Sequence, residues 1–350
     1  MKTSGVSSAA ITNAMRYSQQ RMQVDLVKAQ KELNTGRVAD VGLALGTRTA
    51  QSITFARDLE RLNAIVDSNA LVASRLSSTQ NALGQLGDVA QTLLAAMTTA
   101  SSGDMTDAVA RDSGRSALQS MTSILNTSIN GEYLFAGTNT DVSPFNDFTD
   151  TGSPAKAALD AAFLARFGFA HDSPAAASVT ASDMNDFITN DVMPQFFGPD
   201  WQANWSNATD EQIVSRIALN ETTETSVNAN IGGVKKLAMA AAIVANFFAS
   251  PTLSSDAKRT VASRALSLAG ESVSELGQTQ SQVGIIQKRV SDATDRISTQ
   301  VDLFEKHIVD LEGIDPYEAA NRVNDLMSHI QTSFALTARI QQLSLLNFLT

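Results

Sequence analysis

The sequence predicts a mainly α protein. Two helical arms at the chain ends pair antiparallel as a long rod or coiled coil, with a smaller α+β outer domain inserted between them. Three observations carry this expectation. Six of the seven prolines lie between Pro144 and Pro251, which leaves both flanks open to uninterrupted helix because proline breaks helix interiors. Eleven of the fifteen phenylalanines and both tryptophans, Trp201 and Trp205, fall between Phe135 and Phe248. Aromatics favour compact cores and sheets, whereas Ala, Leu, Gln and Arg favour helices. The flanks also carry heptad spacing. Alternating steps of three and four from Leu59 reach Leu62, Val66, Asn69, Ala73, Leu76, Gln80, Leu83, Gly87, Ala90, Leu94 and Met97. Nine of these twelve positions are apolar, against about five expected by chance.

The elements follow in order. Ile11, Met15, Met22, Leu26, Ala29 and Leu33 share one face of a first amphipathic helix, which Asn34-Thr35-Gly36 should end. One helix from about Arg48 to Ala100 would be roughly 75–80 Å long at ~1.5 Å per residue. The C-terminal arm continues the alternation through Leu276, Thr279, Val283, Ile286, Val290, Ala293, Ile297, Gln300, Phe304, His307 and Leu311. Ser254 or Ser255 can cap it, and Gly313 can end it. Asp315-Pro316-Tyr317-Glu318 reads as a capping box with proline at the first helical position. The last helix carries Val323, Met327, Ile330, Phe334, Ala338, Gln341 and Leu345 on one stripe, with Leu349 near its end. The expected organisation is terminal amphipathic helices at 1–45 and 315–350, a rod core at 46–145 and 234–314, and an inserted outer domain at 146–233. Leu62, Leu76, Leu83, Val283, Val290, Ile297 and Phe304 are the expected apolar rod seam. Polar Asn69, Gln80, Thr279, Gln300 and His307 would set its register.

Charge narrows the function. A net charge of −10 and a pI near 4.8 argue against nucleic acid, whose phosphates need clustered Lys and Arg, and against an anionic membrane surface. With no cysteine, disulfides, thiolate nucleophiles and Cys-ligated zinc are excluded. No apolar run is long enough for a membrane span; the most apolar stretch, residues 237–249, is too short. The front of the chain lacks the apolar core of a cleaved export signal. Candidate chemistry is sparse. His171, His307 and His329 are scattered without ligand spacing. Asp104, Asp107 and Asp112 cluster near a helix start without the loop pattern calcium needs, so capping is the better reading. Phe135-Ala136-Gly137-Thr138 lacks the lysine of a phosphate loop. The chain is not expected to be an enzyme, nor to hold a cofactor or metal.

Three strings carry a family resemblance. NGEYLFAGT at 130–138, followed by Pro144-Phe145, resembles the extended motif of the hook-associated protein 3 family, the hook–filament junction branch of the flagellin superfamily. TTETSVNANIGG at 222–233 resembles the segment by which that family's chain returns from its outer domain, and LSLLNFL at 343–349 resembles its last helix. The likeness covers roughly residues 1–145 and 222–350, while 146–221 matches nothing in the family. LNTGRVADVGLALGTRTAQSI at 33–53 departs from it, since many members carry an Asp-Asp or Asp-Pro element there. The resemblance implies an extracellular flagellar subunit that passes unfolded through the flagellar type III export apparatus. It would assemble as a ring of copies between the first junction protein and flagellin, with an export chaperone on the C-terminal helix. Ile11, Met15, Met22, Leu26, Leu33, Ile330, Phe334, Leu345 and Leu349 would then form the assembly interface, mobile until neighbouring copies supply the missing apolar surface. The alternatives are flagellin itself and, further off, a secreted coiled-coil adhesin or effector.

Overall fold

The computed structural model describes residues 8–349, with side chains described for 10, 11 and 13–339. In chain order the elements are α1 (Ser8–Thr35), α2 (Val41–Leu45), α3 (Thr49–Ser101), α4 (Asp107–Leu125), β1 (Ser128–Ile129), β2 (Glu132–Tyr133) and α5 (Pro154–Phe167). There follow α6 (Ala181–Phe187), α7 (Met193–Phe197), α8 (Asp200–Asn204), β3 (Val214–Ala218), β4 (Glu221–Glu224), α9 (Gly232–Phe247), α10 (Ser255–Glu312) and α11 (Pro316–Leu349). Among the described residues the fold is mainly α, with two small two-stranded antiparallel sheets, β1–β2 and β3–β4. Two compact units emerge: Met1–Ala64 with Ser298–Thr350, and Ile65–Ile297. We call them the terminal unit and the central unit.

The long helices start and stop where local chemistry directs. Gly36, at φ 68°, turns the chain out of α1 and donates its amide to Glu32. Ser254 caps α10 by accepting from the Ala257 amide at 3.2 Å. Asp315 accepts from the Tyr317 amide at 2.8 Å and so caps α11. The expected capping box is half formed, because Glu318 turns instead to Arg322 at 3.0 Å. The turn lacking the family's acidic element is built by α2, capped by Asp40 on the Leu43 amide, and by Gly46 at φ 55°.

In the central unit α3 and α10 run antiparallel: Asn69 donates to Thr294, Gln80 to the Gln280 carbonyl, and Leu94 lies over Gly270. Buried positions on this part of α3 are Asn69, Leu76, Thr79, Ala82, Leu83, Leu86, Ala90, Leu93, Met97 and Ala100. The expected alternates differ: Ala73 is exposed, and Gln80, Gly87 and Leu94 are half-buried. A two-helix seam would bury only one stripe. Here α3 also packs into a core shared with α4 and α9, so its buried face is broader and displaced. The register of α10 shifts too. After Ala293 and Ile297 the buried residues are Val301, half in, and Ile308, while Gln300 and His307 are exposed. A straight helix drifts about 20° per heptad from a strict 3.5 repeat, and two successive steps of four correct the drift. Of the polar positions read as register-setting, Asn69 is buried, donating to Thr294 and to the Ile217 carbonyl.

Helix α9 is buried without a break from Leu237 to Phe247, after a first turn in which Lys235 and Lys236 are half-buried. It is a core helix inside the central unit, not a membrane segment, and among the described residues no helix is long and apolar enough to cross a membrane. Small residues let its neighbours approach. A Cβ on Gly114 of α4 would stand 2.7 Å from the Ala245 nitrogen and 2.8 Å from the Ala241 oxygen. On its other side Ser272 donates to the Gly233 carbonyl at 2.7 Å, and Lys236 reaches Glu271 and Glu275 at 2.6 Å each. Hydrogen bonds to those two carboxylates push the Lys236 ammonium up, and Lys236 in turn holds Glu271 below the usual range.

The motif segment is a crossing point. Asn130-Gly131, at φ 53° and 87°, makes the β1–β2 turn, pairing Ile129 with Glu132. The strand is shorter than the expected Tyr-Leu-Phe run. Leu134, Phe135 and Ala136 are nonetheless fully buried, with the Ala229 amide donating to Phe135 and the Thr209 amide to Ala136. Gly137 is required twice over: its φ is 68°, and a Cβ would stand 2.4 Å from Thr209 Oγ1. The returning string is tied to the same place by Asn230. Its carboxamide accepts from Trp201 Nε1 and Ser206 Oγ, and donates to the Ala208 carbonyl and Asp210.

The middle of the chain shares its core with α9 through Phe163, Phe187 and Phe247. Beside them Asp160 accepts from Asn246 at 2.9 Å and from Lys156 at 2.9 Å, and meets His171 Nε2 at 3.2 Å. Burial pushes the Asp160 carboxyl up, but the bonds from His171, Asn246 and Lys156 together outweigh it and hold the group well below the ordinary 3.8. A folded-state value below the unfolded one adds stability above pH 3.8, lost as pH falls through the depressed value. Asp160→Asn should therefore destabilise the subunit by about 1–2 kcal/mol at neutral pH, discounted for partial exposure. In urea melts the gap between variant and parent should close in strong acid. A gap of unchanged size from neutral pH down to pH 2 would show that the effect is steric rather than ionic.

Candidate assembly surfaces

In the terminal unit α1 and α11 pack antiparallel. Gln19 donates to Thr337 at 3.3 Å, and Arg322 meets Glu32 at 3.1 Å. The inward face holds buried Ala29, Ala319 and Val323, with half-buried Met15, Met22, Leu26, Leu326 and Ile330. The outward flank holds Ile11 and Leu33, each 37% exposed, with Met327 at 44% and Phe334 at 52%. The single stripe read on α11 is thus split. Val323 and Ile330 face α1, while Met327, Phe334 and Ala338 lie some 20–60° further round at ~100° per residue. One partner helix is too narrow to cover the whole apolar stripe. The side chains of Gln341, Leu345 and Leu349 lie outside the described residues, as do those of the whole 343–349 string.

Sequence reading missed a second apolar flank, Val24 and Val27 on α1, exposed at 55% and 65%. With Gln20, Gln23 and Lys28 they line a shallow hollow of 560 Å³. Two valines three residues apart, off the main stripe, were the available signal.

The other named residues lie in the helix seams. Leu62 is buried in the terminal unit, where Phe304 is half-buried and stacks on Phe55 at 5.5 Å between ring centroids. Leu76, Leu83, Val283, Val290 and Ile297 are buried in the central unit, each at most 3% exposed. A groove of 490 Å³ opens between α3 and α4, floored by Val89, Leu93, Val109 and Ala117 and edged by Asp88 and Asp112. Asp107, from the acidic cluster, sits in the first turn of α4 and pairs with Lys258 at 2.5 Å. Among the described residues no group of three or more His, Asp or Glu is placed to hold a metal ion.

Paired terminal helices, long antiparallel arms and open apolar flanks are the features of a helical structural subunit. The comparisons make this specific. Residues 6–140 match the bacterial flagellin N-terminal helical region, and residues 266–349 match the bacterial flagellin C-terminal helical region. The chain belongs to the flagellin superfamily and is a structural subunit of the flagellum. Among solved structures it is similar to one described as a "putative flagellar hook-associated protein" from Vibrio parahaemolyticus. The TM-score is 0.51 at 12% identity, covering 76% of this chain and 97% of that one, a likeness of fold. A search of curated proteins found no match.

Proposed function

We propose that this chain is the junction subunit between hook and filament. The carrying observation is the NGEYLFAGT segment, which resembles the junction family's motif and folds into a tight turn and a buried crossing around Gly137. In this reading the subunit is exported unfolded through the flagellar type III apparatus, with a chaperone masking α11. It then forms a ring of copies on the first hook-associated junction protein and presents a surface on which flagellin grows. The open flanks of α1 and α11 supply the driving force, because burying an exposed apolar side chain contributes about 1.5–3 kcal/mol. Coupled folding and assembly follows, since amphipathic ends gain their full apolar partners only from neighbouring copies.

Electron microscopy of a deletion strain tests the reading. The expected result is cells bearing complete hooks without filaments, with filaments restored by the gene in trans. Long filaments formed by the purified protein alone would instead make it a flagellin. Intact flagella in the deletion strain would make it a secreted adhesin or effector.

A further inference from the structure

The two chain turns of the terminal unit are bonded to one another. The Gly36 carbonyl accepts from the Ile314 amide at 3.1 Å, and the Val38 amide donates to the Glu312 carbonyl at 2.8 Å, so that Arg37 and Gly313 form an antiparallel bridge. Gly313 leaves no room for a side chain, since a Cβ would stand 2.4 Å from the Val309 carbonyl oxygen. Two carboxylates close the joint. Glu32 at the end of α1 accepts from the Ala39 amide at 3.1 Å with one oxygen and from Arg322 of α11 at 3.1 Å with the other. Glu312, the last residue of α10, accepts from the Ser52 hydroxyl of α3 and lies 3.7 Å from the Arg37 guanidinium.

Glu312 stands where a carboxylate is locally unfavourable. It is only 8% exposed, and it occupies a helix C-terminus whose dipole repels negative charge. What offsets that cost is its set of partners, which come from α3 and from the turn after α1. The joint therefore joins segments more than 250 residues apart in sequence, the Ser52–Glu312 separation being 260.

We propose that this cluster is a latch that makes the ends of α1 and α11 order and disorder together. The two turns share two backbone hydrogen bonds, so opening either one breaks the pairing of the other and leaves half-buried amides and carbonyls to find water instead. A partner that orders one terminal helix thereby favours order in the other, because coupling between two sites is reciprocal. The latch stands on the geometry of the terminal unit and goes beyond the assembly reading; its test needs no flagellum.

The test is amide hydrogen exchange by mass spectrometry on the full-length chain and on Glu312→Ala, Glu312→Gln and Ser52→Ala. In the parent, the turns holding Val38 and Ile314 should be protected. Glu312→Ala should raise exchange by about tenfold or more at both turns together, extending into the last turn of α1 and the first of α11, with α9 unchanged. Ser52→Ala should show the same paired pattern more weakly. Glu312→Gln, which keeps an acceptor for Ser52, should recover most of the protection. If Glu312→Ala also deprotects α9, it has unfolded the chain, and the paired pattern in Ser52→Ala decides. Free exchange at both turns in the parent, or a loss confined to one turn in the variants, would overturn the latch.

Discussion

Leu76→Asp is expected to abolish the cooperative fold of the central unit. Leu76 is 1% exposed on α3 and belongs to the continuous core formed with α4, α9 and α10. Deleting a buried leucine side chain costs about 2–5 kcal/mol. Leaving an unpaired carboxylate in its place adds several more, or forces the group to take a proton. Together these approach the whole stability of an ordinary domain, about 5–15 kcal/mol. Far-UV circular dichroism should show a large loss of helicity at ambient temperature, or a melt that has lost its sharp transition. Asp200→Ala is the control. Asp200 is exposed in the first turn of α8, where an acid gains only about 0.3–1 kcal/mol from the helix dipole. Unchanged helicity and melting temperature in Leu76→Asp would show that the core is not as described.

Phe334→Ala is expected to leave the free subunit folded and normally stable while stopping filament growth. Truncating a fully buried aromatic costs about 3–5 kcal/mol. Phe334 is 52% exposed on the flank of α11 that α1 does not cover, so its loss should change subunit stability by less than about 1 kcal/mol. In the assembled state the same ring would gain a covering surface from a neighbour, and truncation there would carry the larger cost. Weakened chaperone binding could also suppress filaments, so the secreted fraction must be measured alongside. Variant subunit in the medium places the defect in assembly; retention in the cell places it in export. Normal filaments and swimming would remove Phe334 from the assembly interface. A melting temperature lowered by about four degrees or more would show that its role is in the subunit core (at about 2.1 cal/mol/K per residue, such a shift is about 3 kcal/mol for a 350-residue chain).

Much of the architecture was legible in residue order alone, because it rests on local rules. With six of the seven prolines in the middle, the arms were free to be α3, 53 residues long, and α10, 58 residues long. Gly36, Ser254 and Asp315-Pro316 marked helix ends because capping depends on a few neighbouring atoms. Leu62, Leu76 and Leu83 could be found by period, since period is a property of one helix.

Other features depended on what lies across from a residue, and only tertiary structure decided them. A strict three-four count led to Gln300 and His307, whereas two steps of four carry burial on to Val301 and Ile308. The same count passed over Thr79, Leu86 and Leu93, buried because a second layer of helices lies on α3. On α11 one apolar stripe became two faces, Val323 and Ile330 under α1, Met327 and Phe334 in the open, since a single helix covers only part of a wide stripe. Glu312 and Ser52, separated by 260 residues, carry no shared signal in the sequence. Hydrophobic period reports which side of a helix is apolar; how much of that side is covered, and by which distant residue, is set by the partners that folding brings against it.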